Sequence, residues 1–255
     1  MAQLHCNFFS YTLGFGVDIE VTLPSMTPCD MGGDRTHALP AKFPVLYLLH
    51  GHGNDYRSWS RCTSLERYAE ERRIAVVTMS VGNKGYMNAE YGENWYAFVG
   101  HELPEFVAAY FPISSRREDT YIAGASMGGY GALAHALGHP ERYRAVGAFS
   151  PATDWGERPS RIGHSMPEML SLYELLDRAE GKKLPDLYCC IGDGDFLLES
   201  AKRFHKNLEG RGIPHRFELV AGYEHEWAFW DRQLPEFLDW LPRTDAYAAL
   251  PRRKL

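Results

Sequence analysis

The chain has no apolar run approaching the ~20 residues that a bilayer-crossing helix requires, which excludes a helical membrane span. Its first residues, "MAQLHCNFFSYTLGFG", lack the cationic start and long apolar core of a secretory signal. Taken as the full precursor, such a chain is expected in the cytoplasm. Cysteine is sparse: Cys6, Cys29, Cys62, Cys189 and Cys190 are odd in number, and no two stand in C-x-x-C spacing, so free thiols are expected rather than a disulfide framework. No basic stripe runs through the sequence, and the net charge of -6 argues against a phosphate backbone as partner. The terminal "PRRKL" reads as a solvated cationic tail. Internal repeats and low-complexity tracts are absent.

What is present is the balance of a soluble globular protein, with 45% hydrophobic and 24% charged residues over 255 positions. That length suits one large α/β domain. "YTLGFGVDIEVTLP" (11–24) alternates like an exposed antiparallel strand. Continuous apolar runs then recur, as in strands buried on both faces: "VLYLLH" (45–50), "IAVVTMSV" (74–81), "TYIAGA" (120–125), "AVGAFS" (145–150), "LYCCI" (187–191) and "FELV" (217–220). Helical stretches separate them, including "HELPEFVAAYF", "GGYGALAHALGH" and "DRQLPEFLDWL", with Pro104 and Pro235 expected in first turns. Strands alternating with helices predict a mostly parallel sheet covered on both faces. The connection over about 152–186 is longer than an ordinary crossover and is expected to form a small helical lid. Catalytic groups of a parallel sheet gather at the carboxyl ends of its strands.

At one such end stands Gly124-Ala125-Ser126-Met127-Gly128, a G-x-S-x-G at a strand-to-helix junction. A nucleophile there sits on a sharp turn, and glycines two residues either side remove collisions with the adjoining strand and helix. Ser80 and Ser150 also end strands but have no flanking glycines. A serine needs a base. Of eleven histidines, His225 in "AGYEHEWAFW" follows the last strand and precedes the last helix, on the correct edge; His164 in the lid is its rival. The base needs a carboxylate between serine and histidine in chain order. "GDGDFLLE" offers Asp195, favoured, and Asp193 as runner-up. Two nearby carboxylates could also serve glycoside hydrolysis or a metal, but that leaves Ser126 and His225 without a role.

Acyl transfer generates an oxyanion, which needs backbone donors. One is the N–H of Met127. The other is expected from the loop after the central strand, "LLHGHGND", most simply the N–H of His52, with Gly53 close by. That loop is no dinucleotide fingerprint, because Tyr56 stands where the third glycine is needed.

Together "PVLYLLHGHGNDYRSW", "YIAGASMGGYGAL", "GDGDFLLE" and "GYEHEWAFWD" resemble the esterase D group of α/β-hydrolases, nearest to bacterial tributyrin esterases, with S-formylglutathione hydrolases and feruloyl esterases as relatives. The resemblance runs from about residue 43 to 241. It implies an α/β-hydrolase fold, with Ser126 as nucleophile, His225 as base and Asp195, rather than Asp193, as acid. His52 departs from the apolar residue common there, which touches the pocket wall rather than the donor. The segment "NKGYMNAEYGENWYAF" (83–98) falls where such enzymes place a pocket loop. Trp59, Tyr86, Tyr91 and Trp95, with Tyr96, are candidate lining, with packing of the following helix as the equal alternative.

The expectation is a serine carboxylesterase for short-chain acyl esters, needing no cofactor and no metal. Its partner would be a small-molecule ester, not nucleic acid or membrane, and a homo-oligomer is compatible with the sequence. Thioester hydrolysis of the S-formylglutathione kind, feruloyl or acetyl ester cleavage, acyl transfer, and a scaffold that only binds remain as alternatives. Activity is expected to rise through roughly pH 6–7 as histidine, titrating near ~6.5 in free form, loses its proton.

Overall fold

A computed structural model describes residues 1–88, 92–155 and 170–255. Its strands are β1 (Ala2–Ser10), β2 (Phe15–Leu23), β3 (Val45–Leu49), β4 (Ala75–Met79), β5 (Thr120–Ala125), β6 (Ala145–Phe149), β7 (Asp186–Gly192) and β8 (His215–Val220). Between them lie α1 (Ser58–Cys62), α2 (Leu65–Arg72), α3 (Trp95–Ala97), α4 (Leu103–Tyr110), α5 (Met127–Gly138), α6 (Leu172–Arg178), α7 (Leu198–Gly210) and α8 (Trp227–Trp240). One sheet runs in the order β1-β2-β4-β3-β5-β6-β7-β8. β1 and β2 pair antiparallel, as do β2 and β4, and every other neighbour is parallel.

The central strands are apolar throughout because both faces are covered. In β3 the side chains alternate: Val45, Tyr47 and Leu49 join one core with Leu103, Leu133 and Leu175, while Leu46 and Leu48 join the other with Leu65, Leu234 and Phe237. Because β3, β5, β6, β7 and β8 run the same way, Leu49, Ala125, Phe149, Gly192 and Val220 end at one rim of the sheet. No helix among the described residues is long and apolar enough to cross a membrane.

Three elements differ from the sequence reading. β1 was not anticipated: adjacent Phe8 and Phe9 break the alternation that marks β2. The strand nonetheless pairs with β2 without a bulge, and Phe8 stacks on Phe106. Pro235 lies inside α8 rather than in its first turn, because the helix begins at Trp227. The buried faces of Phe229, Trp230, Leu234, Phe237 and Leu238 hold it despite the lost N–H. Upstream of α4 the chain makes a π-helical turn, Phe98–Glu102, whose wider i→i+5 spacing the apolar pattern does not reveal. Of the anticipated lid, 156–169 lies outside the described residues, as do His164 and Tyr91; the described remainder includes α6, whose Leu172, Leu175 and Leu176 pack into the core.

Candidate active site

Ser126 sits between the end of β5 and the start of α5 with φ 57° and ψ -115°, a conformation that non-glycine residues avoid. Backbone hydrogen bonds hold it there. Its N–H donates to Phe149 O at 2.9 Å, and its carbonyl accepts from Tyr130 N at 3.0 Å and Ala152 N at 3.2 Å. The flanking glycines are needed for contact rather than for flexibility. A Cβ on Gly128 would lie 2.4 Å from Leu49 O, and one on Gly124 would lie 2.5 Å from the carbonyl of Gly128. The turn is therefore closed only where both side chains are absent.

At the ends of the next strands, His225 Nδ1 lies 2.9 Å from Asp195 Oδ2. Asp195 is buried, which pushes its carboxyl pKa up. Hydrogen bonds from His225, from the N–H of Leu197 and from Ser150 outweigh that, and the pKa ends below the usual carboxylate range. With Nδ1 held by the carboxylate, Nε2 is the nitrogen left for another partner. The ring is fixed further by Phe196, at 4.5 Å between centroids, and by the edge of Trp230 at 5.1 Å. Phe196 also lines the cavity into which Ser126 opens. Among the described residues no hydrogen bond joins Ser126 Oγ to the imidazole; in hydrolases this contact commonly tightens when substrate arrives. Asp193 is engaged elsewhere: its Oδ1 accepts the N–H of Gly222 at 2.8 Å.

Two backbone N–H groups near Ser126, those of Met127 and His52, have no acceptor among the described residues. Met127 is the first residue of α5, where the helix leaves its N–H free. The N–H of Gly53, the further candidate, is already given to Asn83 Oδ1 at 2.7 Å, so it is not a free donor. The loop bearing His52 is braced from behind. His50 is buried, which lowers its pKa; its Nδ1 lies 2.7 Å from Gly51 O, and its Nε2 accepts the N–H of Val81.

The cavity at Ser126 encloses about 170 Å³, small beside the ~300 Å³ at which drug-sized pockets begin. Its walls are Ala152, Trp155, Phe196 and Leu197, with Asp154 and Ser200 among them. The aromatic residues anticipated as lining are placed elsewhere. Trp59 is buried and donates its indole N–H to Leu49 O at 3.0 Å. Tyr86 is buried against α5 and donates its hydroxyl to His50 O at 2.8 Å. Trp95 packs edge-on to Phe98 and Phe15 and donates to Glu93. Tyr96 stacks on His135. An aromatic side chain near a catalytic loop in sequence serves the core as readily as the pocket, and sequence spacing does not separate the two uses.

The model of the family described as "Putative esterase" matches residues 29–241. The chain belongs to that family. An acetyl esterase of Caldicellulosiruptor saccharolyticus is 28% identical over 96% of this chain and 99% of its own length. Among solved structures, FphF, a fluorophosphonate-binding serine hydrolase of Staphylococcus aureus in substrate-bound form, superposes with a TM-score of 0.85 at 29% identity, covering 94% of this chain and 98% of its own. S-formylglutathione hydrolase (FrmB) from Staphylococcus aureus gives 0.80 at 28% identity, covering 94% and 98%. The esterase thus has the α/β-hydrolase fold and is a serine carboxylic ester hydrolase.

Several residues around the esterase's site escape a sequence reading. Ser150, at φ 45°, hydrogen-bonds Asp195 and accepts from Trp230 Nε1 at 3.2 Å. Only its place at the end of β6, next to the serine's strand, hints at this. Asp154 and Trp155 lie beyond the same strand end, in what reads as an ordinary connection. Cys189 and Cys190 are buried, which pushes both thiols up and leaves them unreactive. Among the described residues no cluster of three or more His, Cys, Asp or Glu could hold a metal ion.

Proposed function

We propose that this esterase hydrolyses small esters of short acyl chains through a covalent acyl-enzyme, with Ser126 as nucleophile, His225 as general base and Asp195 as the group that orients the imidazole. The observation that carries this reading is the 2.9 Å contact of His225 Nδ1 with Asp195 Oδ2 at the rim where strained Ser126 opens into a small apolar cavity. Ser126 Oγ attacks the ester carbonyl while His225 Nε2 takes its proton. The carbonyl oxygen becomes an oxyanion, received by the N–H groups of Met127 and His52; losing one such donor costs about 3–4 kcal/mol in the transition state. The alcohol departs with the proton from Nε2. Water, activated by the same imidazole, then releases the acid and restores the serine. Asp195, kept ionised by its hydrogen bonds, stabilises the imidazolium formed in each half-reaction.

The narrow cavity supports acetyl to butyryl chains over long ones. A second reading, thioester hydrolysis on the same groups, is favoured by the likeness to S-formylglutathione hydrolase at 28% identity. One set of experiments addresses both. A fluorophosphonate should label the wild type and not Ser126→Ala, while the two proteins unfold at similar temperatures. Rates on p-nitrophenyl acetate, butyrate and octanoate beside S-formylglutathione then rank the substrates. Absence of labelling in a folded wild type would overturn the mechanism, and a preference for octanoate would overturn the chain-length reading.

A further inference from the structure

Asp154 is an unusual wall residue for an apolar ester-binding cavity. It lines the space into which Ser126 opens and is only 9% exposed. Burial of a carboxylate is costly unless its oxygens are matched by donors. One oxygen is matched: Oδ2 pairs with Arg203 Nη2, reaching over from α7. The other, Oδ1, is buried and has no hydrogen-bond partner among the described residues. A pair kept for stability alone accounts poorly for this arrangement. The Arg203 side chain is 59% exposed, so solvent screens the attraction and leaves it small, while the orphaned oxygen keeps its full desolvation cost. The neighbouring polar wall group offers no relief, because Ser200 Oγ donates to Leu197 O at 2.9 Å. The rest of the described wall is His52, Met127, Ala152, Trp155, Phe196 and Leu197, beside Ser126 itself.

We infer that Asp154 selects substrates that bring a hydroxyl into this cavity, and that it excludes substrates bringing a carboxylate. The inference rests on the ester-hydrolase reading of Ser126 and deepens it. An ionised carboxylate accepts hydrogen bonds only, so Oδ1 is matched by an O–H and opposed by a second anion. The small volume confines that hydroxyl to within a few bonds of the scissile carbonyl. It can belong to the acyl half, as in a hydroxyacyl ester, or to the alcohol half, as in a polyol ester.

The test compares kcat/KM within matched pairs. For the acyl half, p-nitrophenyl 3-hydroxybutyrate is set against p-nitrophenyl butyrate. For the alcohol half, glycerol 1-monobutyrate is set against propyl butyrate in a pH-stat. For the anion, p-nitrophenyl hemisuccinate is set against the butyrate. The wild type should favour the hydroxylated member of one pair by about tenfold, the scale of a hydrogen bond to a charged acceptor, and should disfavour hemisuccinate by a similar factor. The pair that responds assigns the half. Asp154→Asn should shrink both ratios toward one. Arg203→Gln leaves the carboxylate uncompensated and should widen both. A merely structural role would move the two variants together, through lower activity on every ester. Should Asp154→Asn fail to fold, the widening in Arg203→Gln still decides the matter. Flat ratios in the wild type, or ratios that neither variant shifts by more than about twofold, would overturn the inference. Fluorophosphonate labelling and p-nitrophenyl acetate turnover, run on the same wild-type sample, separate this outcome from failure of the ester reading itself: a labelled, active enzyme with flat ratios sinks only the role of Asp154.

Discussion

The hydroxyl of Tyr86 donates to the carbonyl of His50 at 2.8 Å, tying the segment after β4 to the last residue before the loop that carries the His52 N–H. Tyr86 adopts φ 64° to make this contact and lies against Gly131 of α5. Tyr86→Phe keeps the ring and removes the bond. Stability should fall by about 1 kcal/mol and kcat by a few-fold, because the oxyanion donor is less well held. Preference among acyl chain lengths should not change, since Tyr86 does not line the cavity. Phe196→Ala, by contrast, should shift chain-length preference. Chain-length series on both variants check this pair of expectations.

Gly128 approaches β3 so closely that a methyl group would lie 2.4 Å from Leu49 O and 2.7 Å from His50 O. Both are backbone atoms and cannot rotate aside. Gly128→Ala should therefore destabilise the protein by about 3 kcal/mol or more and reduce soluble yield. Urea unfolding of the variant beside wild type measures it. A near-normal midpoint would mean that the elbow can open without cost.

Asp193 and Asp195 are two residues apart and have separate duties. Asp195→Asn should lower kcat by about 10⁴-fold, because the amide no longer fixes the imidazole tautomer. Asp193→Asn should leave kcat within a few-fold of wild type and cost at most about 1 kcal/mol of stability, through the bond to the Gly222 N–H. Ser150→Ala should fall between them, since it removes one of the hydrogen bonds that keep Asp195 ionised. Steady-state kinetics on the three variants rank them.

His135 gives the protein a defined acid sensitivity. It is wholly buried on α5, stacked on Tyr96. Burial lowers its pKa to about 3; the charges of nearby His139, His101 and Arg142 add to this, and the Tyr86 carbonyl opposes it. In the unfolded chain it titrates near ~6.5. Between these values the unfolded state binds the extra proton, so stability is full above ~6.5 and is lost as pH falls toward 3. At pH 4.5 the loss attributable to this residue is about 2–3 kcal/mol. His135→Leu should flatten the stability profile over that interval relative to wild type, measured by urea unfolding at pH 7 and 4.5. Parallel profiles for the two proteins would refute the assignment.

The parallel core was legible because β3 through β7 are buried on both faces and so read as unbroken apolar runs bounded by turns. The G-x-S-x-G was legible for a related reason: the contact of Gly128 with Leu49 permits one residue type only. β1 was not, since an edge strand faces solvent and carries no strict pattern. Pro235 was misplaced because its local preference for a first turn gave way to the buried face of α8. The cavity walls were the least legible part. Trp59, Tyr86 and Trp95 are the residue types that line pockets, yet here they fill the core, and the walls come from Asp154, Trp155 and Phe196 on two other connections.

The amino-acid order by itself determined the alternation of strand and helix and the turn on which Ser126 sits. Each of these depends on neighbours in sequence or on the period of burial. Only the tertiary structure decided which aromatics face the cavity, which backbone N–H groups find no acceptor among the described residues, and that Ser150 supports Asp195 while Asp154 Oδ1 has no partner among those residues. These depend on residues far apart in the chain, brought together where parallel strands end, and no local pattern encodes that distance.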